Sequence, residues 1–464
     1  MRDYTQLMAK LSDDYVDHSP KSAALNEVAE RYLVDGGSHA LRLIQPFPPR
    51  IVSAQGAWLT DEDGHRILDF WQGHFANLLG HNPPIVTSAL AKAFENGFGL
   101  QTGFTDRLQV EVAEIICRQT GTERVRFTTS GSLATMYAIL LARTFTGRTI
   151  VLKVGGGWHG AQPWGLKGVN LRARSGCARV QVDTHGLPPA LTDEVLVTGF
   201  NDPERLRDCF RHNGDRIACF ILEPFIGSGG FILATPEYLH AARELTQQFG
   251  AVLILDEVIS GFRFRAGDLA SLYGVRPDLA TYGKVIGGGM PVSVVAGRAD
   301  IMGLVGRAAG AKVKFSGGTY SGHPASLLAA KHFLIHLVAQ EETIYGHIAR
   351  LGEQARKALE EVFARHGIYA RCTGYGNQAV PGSSLFRLHF PFREDQSLSK
   401  PEDVFDPSVC DLALSDQVLQ LALLLEDVHM VQSRGGVSGT HTDRDISLFI
   451  EACERVARRI GRHR

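Results

Sequence analysis

The sequence lacks several features that would place it in a specialised class of protein. No apolar run approaches the roughly 18 residues of a membrane-spanning helix, so no membrane association is expected. The N-terminal stretch MRDYTQLMAKLSDDYVDHSP has mixed charge and no apolar core, which argues against a secretory signal. Lysine and arginine (48) nearly balance aspartate and glutamate (49), without a basic block, so nucleic acid is not an expected partner.

Cysteine is sparse as well. The seven cysteines are scattered and show no CxxC spacing, so neither a disulfide framework nor a metal at the functional site is expected. Reduced thiols and the lack of a signal together predict a cytoplasmic protein. The remaining composition, 44% hydrophobic and 21% charged over 464 residues, is typical of a globular chain long enough for two domains.

The sequence does contain an acid and a lysine at the ends of two apolar strands. The first strand is predicted over 251–255 and ends on Asp256, and the second over 278–282, followed after one glycine by Lys284. Groups at the carboxyl ends of parallel strands converge on one crevice in an open α/β sheet. The acid and the lysine are therefore expected to share a site.

Pyridoxal 5′-phosphate (PLP) requires such a pair. A lysine bonds covalently to its aldehyde, and an acid keeps the pyridine nitrogen protonated so that the ring accepts electrons. Either residue alone at a strand end is more often an exposed loop residue. Because both follow strands too apolar to lie at a sheet edge, the combination favours a catalytic role for Asp256 and Lys284.

Three segments carry a resemblance to a known family. LILDEVISGFR (253–263), DLATYGKVIGGGMPV (278–292) and FSGGTYSGHP (315–324) resemble the class III, fold-type I PLP-dependent aminotransferases. The most similar branch contains glutamate-1-semialdehyde aminomutase and the β-amino-acid and D-phenylglycine aminotransferases. The resemblance extends from about residue 35 to the C-terminus, with the motifs in the family's order.

The resemblance implies an α/β fold with two domains. A large domain would hold a mostly parallel central sheet flanked by helices, and a small α+β domain would be formed by the N- and C-terminal segments. We expect residues 1–90 to form an N-terminal arm and part of the small domain. Residues 91–330 would be the large PLP-binding domain and residues 331–464 the C-terminal small domain.

A phosphate site is expected where a predicted strand runs into small residues at a helix start. Free N–H groups and the helix dipole suit an anion there, and the family places the cofactor phosphate at the equivalent of Ser130, Gly131 and Ser132. The family usually reads S-G-T-E-A and this chain reads S-G-S-L-A. Ser132 replaces the threonine hydroxyl, whereas Leu133 in place of glutamate is expected to change a contact near the dimer interface.

Residues 155–160 read GGGWHG after a predicted strand, which formally matches the G-x-G-x-x-G dinucleotide fingerprint. Pro163, Gly165 and Gly168 interrupt the helix that this fingerprint needs. The family has an aromatic residue followed by His-Gly at this place. The resemblance thus implies that Trp158 stacks on the cofactor ring with His159 beside it; a merely buried tryptophan is the alternative.

The remaining assignments rest on the resemblance alone. Thr319 would reach the PLP phosphate of the neighbouring subunit, which implies a homodimer with shared active sites. The other cofactor contacts would be Asn201, Glu223 and Val258, and the substrate contacts would be Arg42, Trp71, His74 and Arg434. Arg42 and Arg434 are candidates to bind a substrate carboxylate, although a surface arginine in a glycine-rich loop is an equal alternative for Arg42.

The expected reaction is transamination between a carboxylate-bearing amine, such as a β-amino acid, and a keto acid or aldehyde. An aminomutase of the glutamate-1-semialdehyde kind would use the same residues. However, GGSHALRLIQPFP (36–48) departs from that enzyme's usual G-G-V-N-S-P-V-R, and Leu133 and Trp158 deviate too. A non-catalytic or nucleotide-binding α/β protein is the remote third alternative.

Overall fold

The computed structural model describes residues 2–171, 182–308, 310 and 312–462. The helices are α1 (Thr5–His18), α2 (Pro20–Glu30), α3 (Gln72–Phe75), α4 (Pro84–Glu95), α5 (Arg107–Thr120), α6 (Gly131–Thr146), α7 (Pro189–Asp193), α8 (Pro203–Asn213), α9 (Pro236–Phe249), α10 (Ala299–Met302), α11 (Pro324–Ala339), α12 (Glu341–Arg365), α13 (Pro401–Phe405), α14 (Leu419–Leu424) and α15 (Asp443–Gly461). Short 3₁₀ turns occur at Val34–Gly36, Ala40–Arg42, Ala270–Tyr273, Lys284–Gly287 and Gly303–Val305, and a π turn at Leu414–Val418.

The strands are β1 (Ile51–Gln55), β2 (Trp58–Asp61), β3 (Arg66–Asp69), β4 (Arg124–Thr128), β5 (Ile150–Val154), β6 (Val195–Thr198), β7 (Ile217–Leu222), β8 (Phe225–Ile226), β9 (Ile232–Leu233), β10 (Val252–Glu257), β11 (Leu279–Tyr282), β12 (Ser293–Gly297), β13 (Arg371–Thr373), β14 (Leu385–His389), β15 (Val428–His429) and β16 (Arg434–Gly436).

A seven-stranded sheet with the order β4-β12-β11-β10-β7-β5-β6 forms the centre of the molecule. Within it, β12 runs antiparallel to both of its neighbours, and the other strands are parallel. Every residue of β5, β7 and β10 is buried, because helices cover both faces. The sequence correctly predicted strands ending at the acid and before the lysine, and they lie side by side as β10 and β11.

Local sequence signals set the ends of the helices that pack on this sheet. Ser130 caps α6 by accepting a hydrogen bond from the N–H of Leu133, and Gly147 ends the helix with φ of 68°. Helix α9 starts after the Thr235 cap with Pro236 in its first turn, and Gly250 ends it with φ of 64°. Proline fits the first turn, and glycine adopts the left-handed conformation at low cost.

The two ends of the chain share a second apolar core. Residues 4–70 and 351–460 contribute to it, and it includes buried side chains of α1, α12, α14 and α15. A β1-β2-β3-β15 sheet and a β13-β14-β16 sheet lie around this core. The β2–β3 hairpin turns through Asp63-Gly64, with Gly64 at φ of 91°. The domain limits at residues 90 and 330 stay a prediction.

Two further observations concern the described part of the chain. No helix in residues 2–171, 182–308 and 312–462 combines the length and apolar character required to cross a membrane. The cysteines within these ranges are free thiols, four of them buried and two half-buried. Cys177 lies outside the described residues.

Candidate active site

The carboxyl ends of β10 and β11 open onto a cavity of about 400 Å³. Most of the residues predicted to bind a cofactor line this one cavity: Ser130, Gly131, Ser132, Trp158, His159, Glu223, Asp256, Val258 and Lys284. They come from four strand ends and the start of α6. The crevice expected from the topology is therefore present.

Asp256 is held in a fixed orientation on the floor of the cavity. The side chain is 4% exposed. One carboxylate oxygen, Oδ2, lies 2.8 Å from His159 Nδ1. The other, Oδ1, accepts hydrogen bonds from Thr281 Oγ1 at 2.9 Å and from the N–H of Val258 at 3.2 Å. Thr281 stands opposite Asp256 in the β10–β11 register, so the sheet itself brings the two side chains together.

His159 connects this acid to the loop after β5. Its carbonyl accepts a hydrogen bond of 2.6 Å from Thr135 Oγ1 on α6, which anchors the loop. Burial lowers the pKa of the imidazole, so the ring is neutral and Nδ1–H donates to Asp256. The buried Nε2 has no hydrogen-bond partner among the described residues.

Lys284 begins the 3₁₀ turn that follows β11, and its backbone is left-handed with φ of 46°. A left-handed non-glycine residue stores strain that the surrounding structure must support, and such positions cluster at functional sites. Burial lowers the pKa of the ammonium, while the charges of Asp256 and Glu223 oppose the shift. An amine with a lowered pKa is more often neutral, the state that attacks a carbonyl.

Glu223 at the end of β7 is a second buried carboxyl group in the cavity wall. It accepts hydrogen bonds from the N–H groups of Trp158 at 2.9 Å and Gly227 at 3.1 Å. Burial, with the nearby charge of Asp256, raises its pKa to about 8. Glu223 thus fixes the backbone of Trp158, whose indole is 39% exposed at the cavity.

The start of α6 forms the polar end of the cavity. Two close approaches there require glycine. A Cβ on Gly131 would lie 3.0 Å from a methyl group of Val258, and a Cβ on Gly160 would lie 2.3 Å from Ser132 Oγ. Glycine therefore allows the loops of Val258 and His159 to close on the helix N-terminus, whose N–H groups and dipole favour an anion.

The donor set of the cavity fits PLP. Ser130, Ser132 and the helix start offer hydroxyl and N–H donors suited to a phosphate, and Asp256 is a buried acid already oriented by two side chains. Lys284 supplies an amine in the same cavity. A phosphate, a pyridinium nitrogen and an aldehyde are the three groups of PLP that need such partners.

The loop that carries Trp71 and His74 borders this cavity through Ala76. Arg42 Nε donates to His74 Nε2 at 3.1 Å, and the rings of Trp71 and His74 are 4.4 Å apart. Burial lowers the pKa of His74 to about 3, and the charges of Arg42, Lys284 and Arg434 add to the shift. His74 is therefore a neutral acceptor that orients Arg42.

Arg434 at the start of β16 is a buried cation, 7% exposed. Its Nη2 donates to Gln432 Oε1, and its Nε has no partner among the described residues. Burial, with the charge of Arg387, lowers its pKa to about 9. The charge of Asp416 opposes this shift, and Asp416 itself forms an ion pair of 3.2 Å with Arg387. Arg434 forms no ion pair with an acid among the described residues.

Comparisons with known proteins agree with this geometry. The family model described as "Aminotransferase class-III" matches residues 44–379. The chain belongs to the class-III aminotransferase family. Glutamate-1-semialdehyde 2,1-aminomutase of Methanoculleus marisnigri is 36% identical over 441 residues, which are 93% of this chain and 98% of that protein.

Two solved structures extend the likeness to the fold. An omega-transaminase from Sphaerobacter thermophilus superposes with a TM-score of 0.86 at 29% identity, covering 96% of this chain and 99% of that one. A β-phenylalanine aminotransferase from Variovorax paradoxus gives 0.84 at 30% identity, covering 98% and 97%. The chain is therefore a PLP-dependent class-III enzyme with the fold-type I architecture that the sequence predicted.

Two predicted cofactor residues of this class-III chain lie outside the cavity. Asn201 donates to the carbonyls of Leu233 (3.0 Å) and Ser399 (3.2 Å) and accepts from Thr235 N–H (2.8 Å). Its amide joins these loops, and a contact of Asn201 with the cofactor stays a prediction. Thr319 is exposed in a turn and does not line the cavity of its own chain.

Sequence reasoning missed two residues that shape the class-III site, Thr281 and Asp69. Thr281 was overlooked, although its place three residues before Lys284 and the parallel register were sufficient to find it. Asp69 ends β3, where a strand-end carboxylate was also a visible signal. Arg263 is buried and donates to the carbonyl of Phe75. That contact joins segments 188 residues apart.

Proposed function

We propose that this class-III enzyme is a transaminase that exchanges an amino group between a carboxylate-bearing amine, such as a β-amino acid, and a keto acid or aldehyde. The observation that carries the proposal is the shared cavity of Lys284 and the Asp256–His159 pair, with the buried charge of Arg434 nearby. An amine site and a buried cation together suit an amino acid.

We assign the cofactor-holding roles from the donor types. The N–H groups and hydroxyls of Ser130, Gly131 and Ser132 would bind the phosphate, and Asp256 would hold a proton at the pyridine nitrogen. Trp158 and Val258, which both line the cavity, would pack on the faces of the ring. His159 would act on Asp256 rather than on the ring, since its Nδ1 is already committed to the carboxylate.

PLP, when bound, supplies an aldehyde that joins to amines and a ring that withdraws electrons from the substrate. Lys284 Nζ would hold the aldehyde carbon in the resting enzyme and, once released by the substrate amine, would move a proton at the substrate carbon. The lowered pKa of Lys284 favours both roles, because each requires a neutral amine. The Asp256 carboxylate, which is buried and accepts a hydrogen bond from Thr281, would keep its charge directed at the pyridine nitrogen.

The substrate carboxylate would bind to one or both of two arginines, Arg434 and Arg42. Arg434 is the stronger candidate, since its buried guanidinium has an unpartnered Nε and forms no ion pair with an acid in the described part of the chain. Planar guanidinium groups bind carboxylates through paired hydrogen bonds. Arg42 is exposed and oriented by His74, which suits a second carboxylate contact at the entrance.

An intramolecular amino transfer of the glutamate-1-semialdehyde kind is the second candidate. The 36% identity to a protein of that name favours it. The departures at 36–48, Leu133 and Trp158 favour the transaminase, and so does the 30% identity to a β-phenylalanine aminotransferase. Both reactions use the same Lys284 and Asp256.

A turnover assay separates the two reactions. The purified enzyme is offered a panel of α-, β- and γ-amino acids with pyruvate or 2-oxoglutarate, and keto-acid consumption is followed. We expect turnover that depends on the added acceptor. Conversion of glutamate 1-semialdehyde without any acceptor would favour the mutase instead. Arg434→Gln should raise the KM for amino acids at least about tenfold, and simple amines without a carboxylate should be unaffected.

We also propose a cytoplasmic homodimer in which Thr319 of each chain completes the site of the other. Large apolar side chains stay exposed beside Thr319, including Leu100 (75%), Phe104 (73%) and Tyr320 (63%). The two segments that carry them are in contact, because the N–H of Ala325 donates to the carbonyl of Gly99 at 3.2 Å. A contiguous exposed apolar patch of this kind supports a subunit interface.

A further inference from the structure

Three ligand-type side chains converge far from the catalytic cavity, where the N-terminal arm meets the β2–β3 hairpin. His18 is the last residue of α1, His65 precedes β3, and Asp427 precedes β15. One ligand atom of each lies within 4.8 Å of the others. We propose that this cluster binds a divalent transition-metal ion of the zinc type, with water completing the coordination.

Both imidazoles have an Nδ1 hydrogen-bond partner of the kind that metal-binding histidines usually have. His65 Nδ1 lies 2.9 Å from Asp61 Oδ2, and His18 Nδ1 lies 2.9 Å from Ser19 Oγ. A ligating histidine commonly donates one ring nitrogen to a carboxylate or hydroxyl, which leaves the lone pair of the other nitrogen for the metal. Nε2 of each ring is the atom left available here.

The Asp61 carboxylate that supports His65 is itself held in place. It is 2% exposed, and its Oδ1 accepts hydrogen bonds from the N–H groups of Asp63 at 3.1 Å and His65 at 2.8 Å. The carboxylate therefore fixes both the backbone and the ring of His65. Oriented supporting groups of this kind distinguish a binding site from chance proximity of surface side chains.

Asp427 provides the anionic ligand. Its Oδ1 is buried, has no hydrogen-bond partner among the described residues, and lies 3.8 Å from His18 Nε2. Its backbone is left-handed, with φ of 54°, and its carbonyl accepts a hydrogen bond from Leu68 N–H at 2.8 Å. A buried carboxylate oxygen without a donor costs free energy, and a bound cation would remove that cost.

Rotation of the imidazole rings separates this arrangement from coordination. Zinc–nitrogen and zinc–oxygen bonds of about 2.0–2.2 Å require ligand atoms roughly 3.5 Å apart. The stacked rings of His18 and His65 are 3.8 Å apart between centroids and must tilt for both lone pairs to meet one ion. Side chains that are 24%, 24% and 45% exposed, for His18, His65 and Asp427, have the room to do so.

The bound ion would join three chain segments. It would tie the end of α1 to the hairpin and to the turn before β15, which pairs with β3. Because the ion binds only where the folded chain assembles the ligands, it should raise the Tm of the enzyme. The catalytic cavity contains none of these residues, so turnover should not depend on the ion.

The test is a zinc titration of the chelator-treated holoenzyme, followed by calorimetry and repeated with Co²⁺ for its absorption bands. We expect one saturable site per chain and a higher Tm. The site should be lost in His65→Ala and His18→Ala and weakened about 10- to 100-fold in Asp61→Asn. His212→Ala, which removes an exposed histidine of α8, should bind as the wild type does.

Two outcomes would overturn the proposal. One is the absence of a saturable site in the wild-type holoenzyme, which would leave the cluster as a stacked histidine pair beside an acid. The other is an unchanged isotherm in His65→Ala, which would place the bound zinc elsewhere. The bound PLP absorbance and the Tm report whether each variant is folded. If His18→Ala does not fold, His18→Gln replaces it.

Discussion

At the scale of single residues, Asp256 combines a charge with a fixed direction. Replacement by asparagine preserves the shape of the side chain but removes the charge that would hold a proton at the ring nitrogen. Asp256→Asn should therefore retain bound PLP while kcat falls at least about 100-fold, the usual effect of losing one preorganised electrostatic contact. Stopped-flow absorbance and steady-state kinetics measure the two quantities.

Thr281→Val provides the matched control for that variant, since it removes one hydrogen bond to Asp256 and leaves the charge. A smaller fall in kcat, about tenfold, is expected. Equal losses in Asp256→Asn and Thr281→Val would show that the orientation of the carboxylate matters and its charge does not, which would contradict the role proposed for Asp256.

Glu223 should make the stability of the protein depend on pH in a particular direction. Its pKa is raised to about 8 in the folded chain and is ordinary, near 4.5, in the unfolded chain. The folded state therefore binds the extra proton, and stability falls as pH rises from about 4.5 to 8. Above pH 8 this contribution is constant.

Glu223→Gln lacks the ionisation, so its free energy of unfolding should change relative to the wild type across that window. The free energy of unfolding of the variant minus that of the wild type should increase by up to about 1.4 kcal/mol per pH unit between pH 5 and 8. Urea unfolding at pH 5, 6.5, 8 and 9 measures it. Parallel curves for the two proteins would mean that Glu223 ionises normally in the folded chain.

At the scale of elements, the loop Gln72–Phe75 is the feature that sequence patterns missed. Its four residues have φ between 43° and 65°, a strained run that includes three non-glycine residues. Asp69 holds it by accepting hydrogen bonds from the N–H groups of Trp71 (2.9 Å) and Gln72 (2.8 Å), and from two histidines. Burial opposes ionisation of Asp69, but the hydrogen bonds of His429 and His81 outweigh it and keep the pKa well below its usual range.

Asp69→Asn should release this loop, because an amide cannot accept all four hydrogen bonds. We expect a loss of about 2 kcal/mol or more in stability and a raised KM for carboxylate-bearing substrates, since His74 and Arg42 would lose their placement. Asp278→Asn is the matched control. Asp278 is a buried acid outside the site that accepts hydrogen bonds from strand β10 and from Arg298. This substitution should lower stability while leaving KM unchanged.

The strands and helices themselves were largely predictable. Helix α9 spans Pro236–Phe249, and a threonine cap, a proline and a glycine in the sequence mark its ends. The continuous apolar run of β7 also identifies a buried parallel strand. Asn201 was harder to place, because a family motif gives the neighbourhood of a side chain, whereas its hydrogen bonds to Leu233 and Ser399 depend on tertiary contacts.

At the scale of the whole molecule, the dimer proposal makes a prediction that a single chain cannot satisfy. If Thr319 serves the partner's site, mixed dimers of Thr319→Ala and Lys284→Ala contain one site with both native residues. Mixing the two variants should then restore up to half of the activity lost per dimer at low PLP. Activity no greater than that of Thr319→Ala alone would mean that each chain uses its own Thr319.

The resemblance identified the family, the cofactor and the central sheet, because the strand-end acid and lysine are local signals within long apolar strands. The positions of the buried arginines and of the 71–75 loop were less predictable. Arg263, Arg434 and the 71–75 loop meet only through contacts between distant segments, such as the hydrogen bond from Arg263 to Phe75. The burial of their charges is a consequence of the assembled fold.

The central claim is that Lys284 is the residue that holds PLP. A second buried lysine, Lys153, is the alternative candidate to hold PLP, since burial lowers its pKa to about 8. Borohydride treatment of the yellow holoenzyme followed by peptide mass spectrometry decides between them. We predict a phosphopyridoxyl group on the peptide containing Lys284 and none in Lys284→Ala, and a modification on Lys153, or none on any lysine, would contradict the claim.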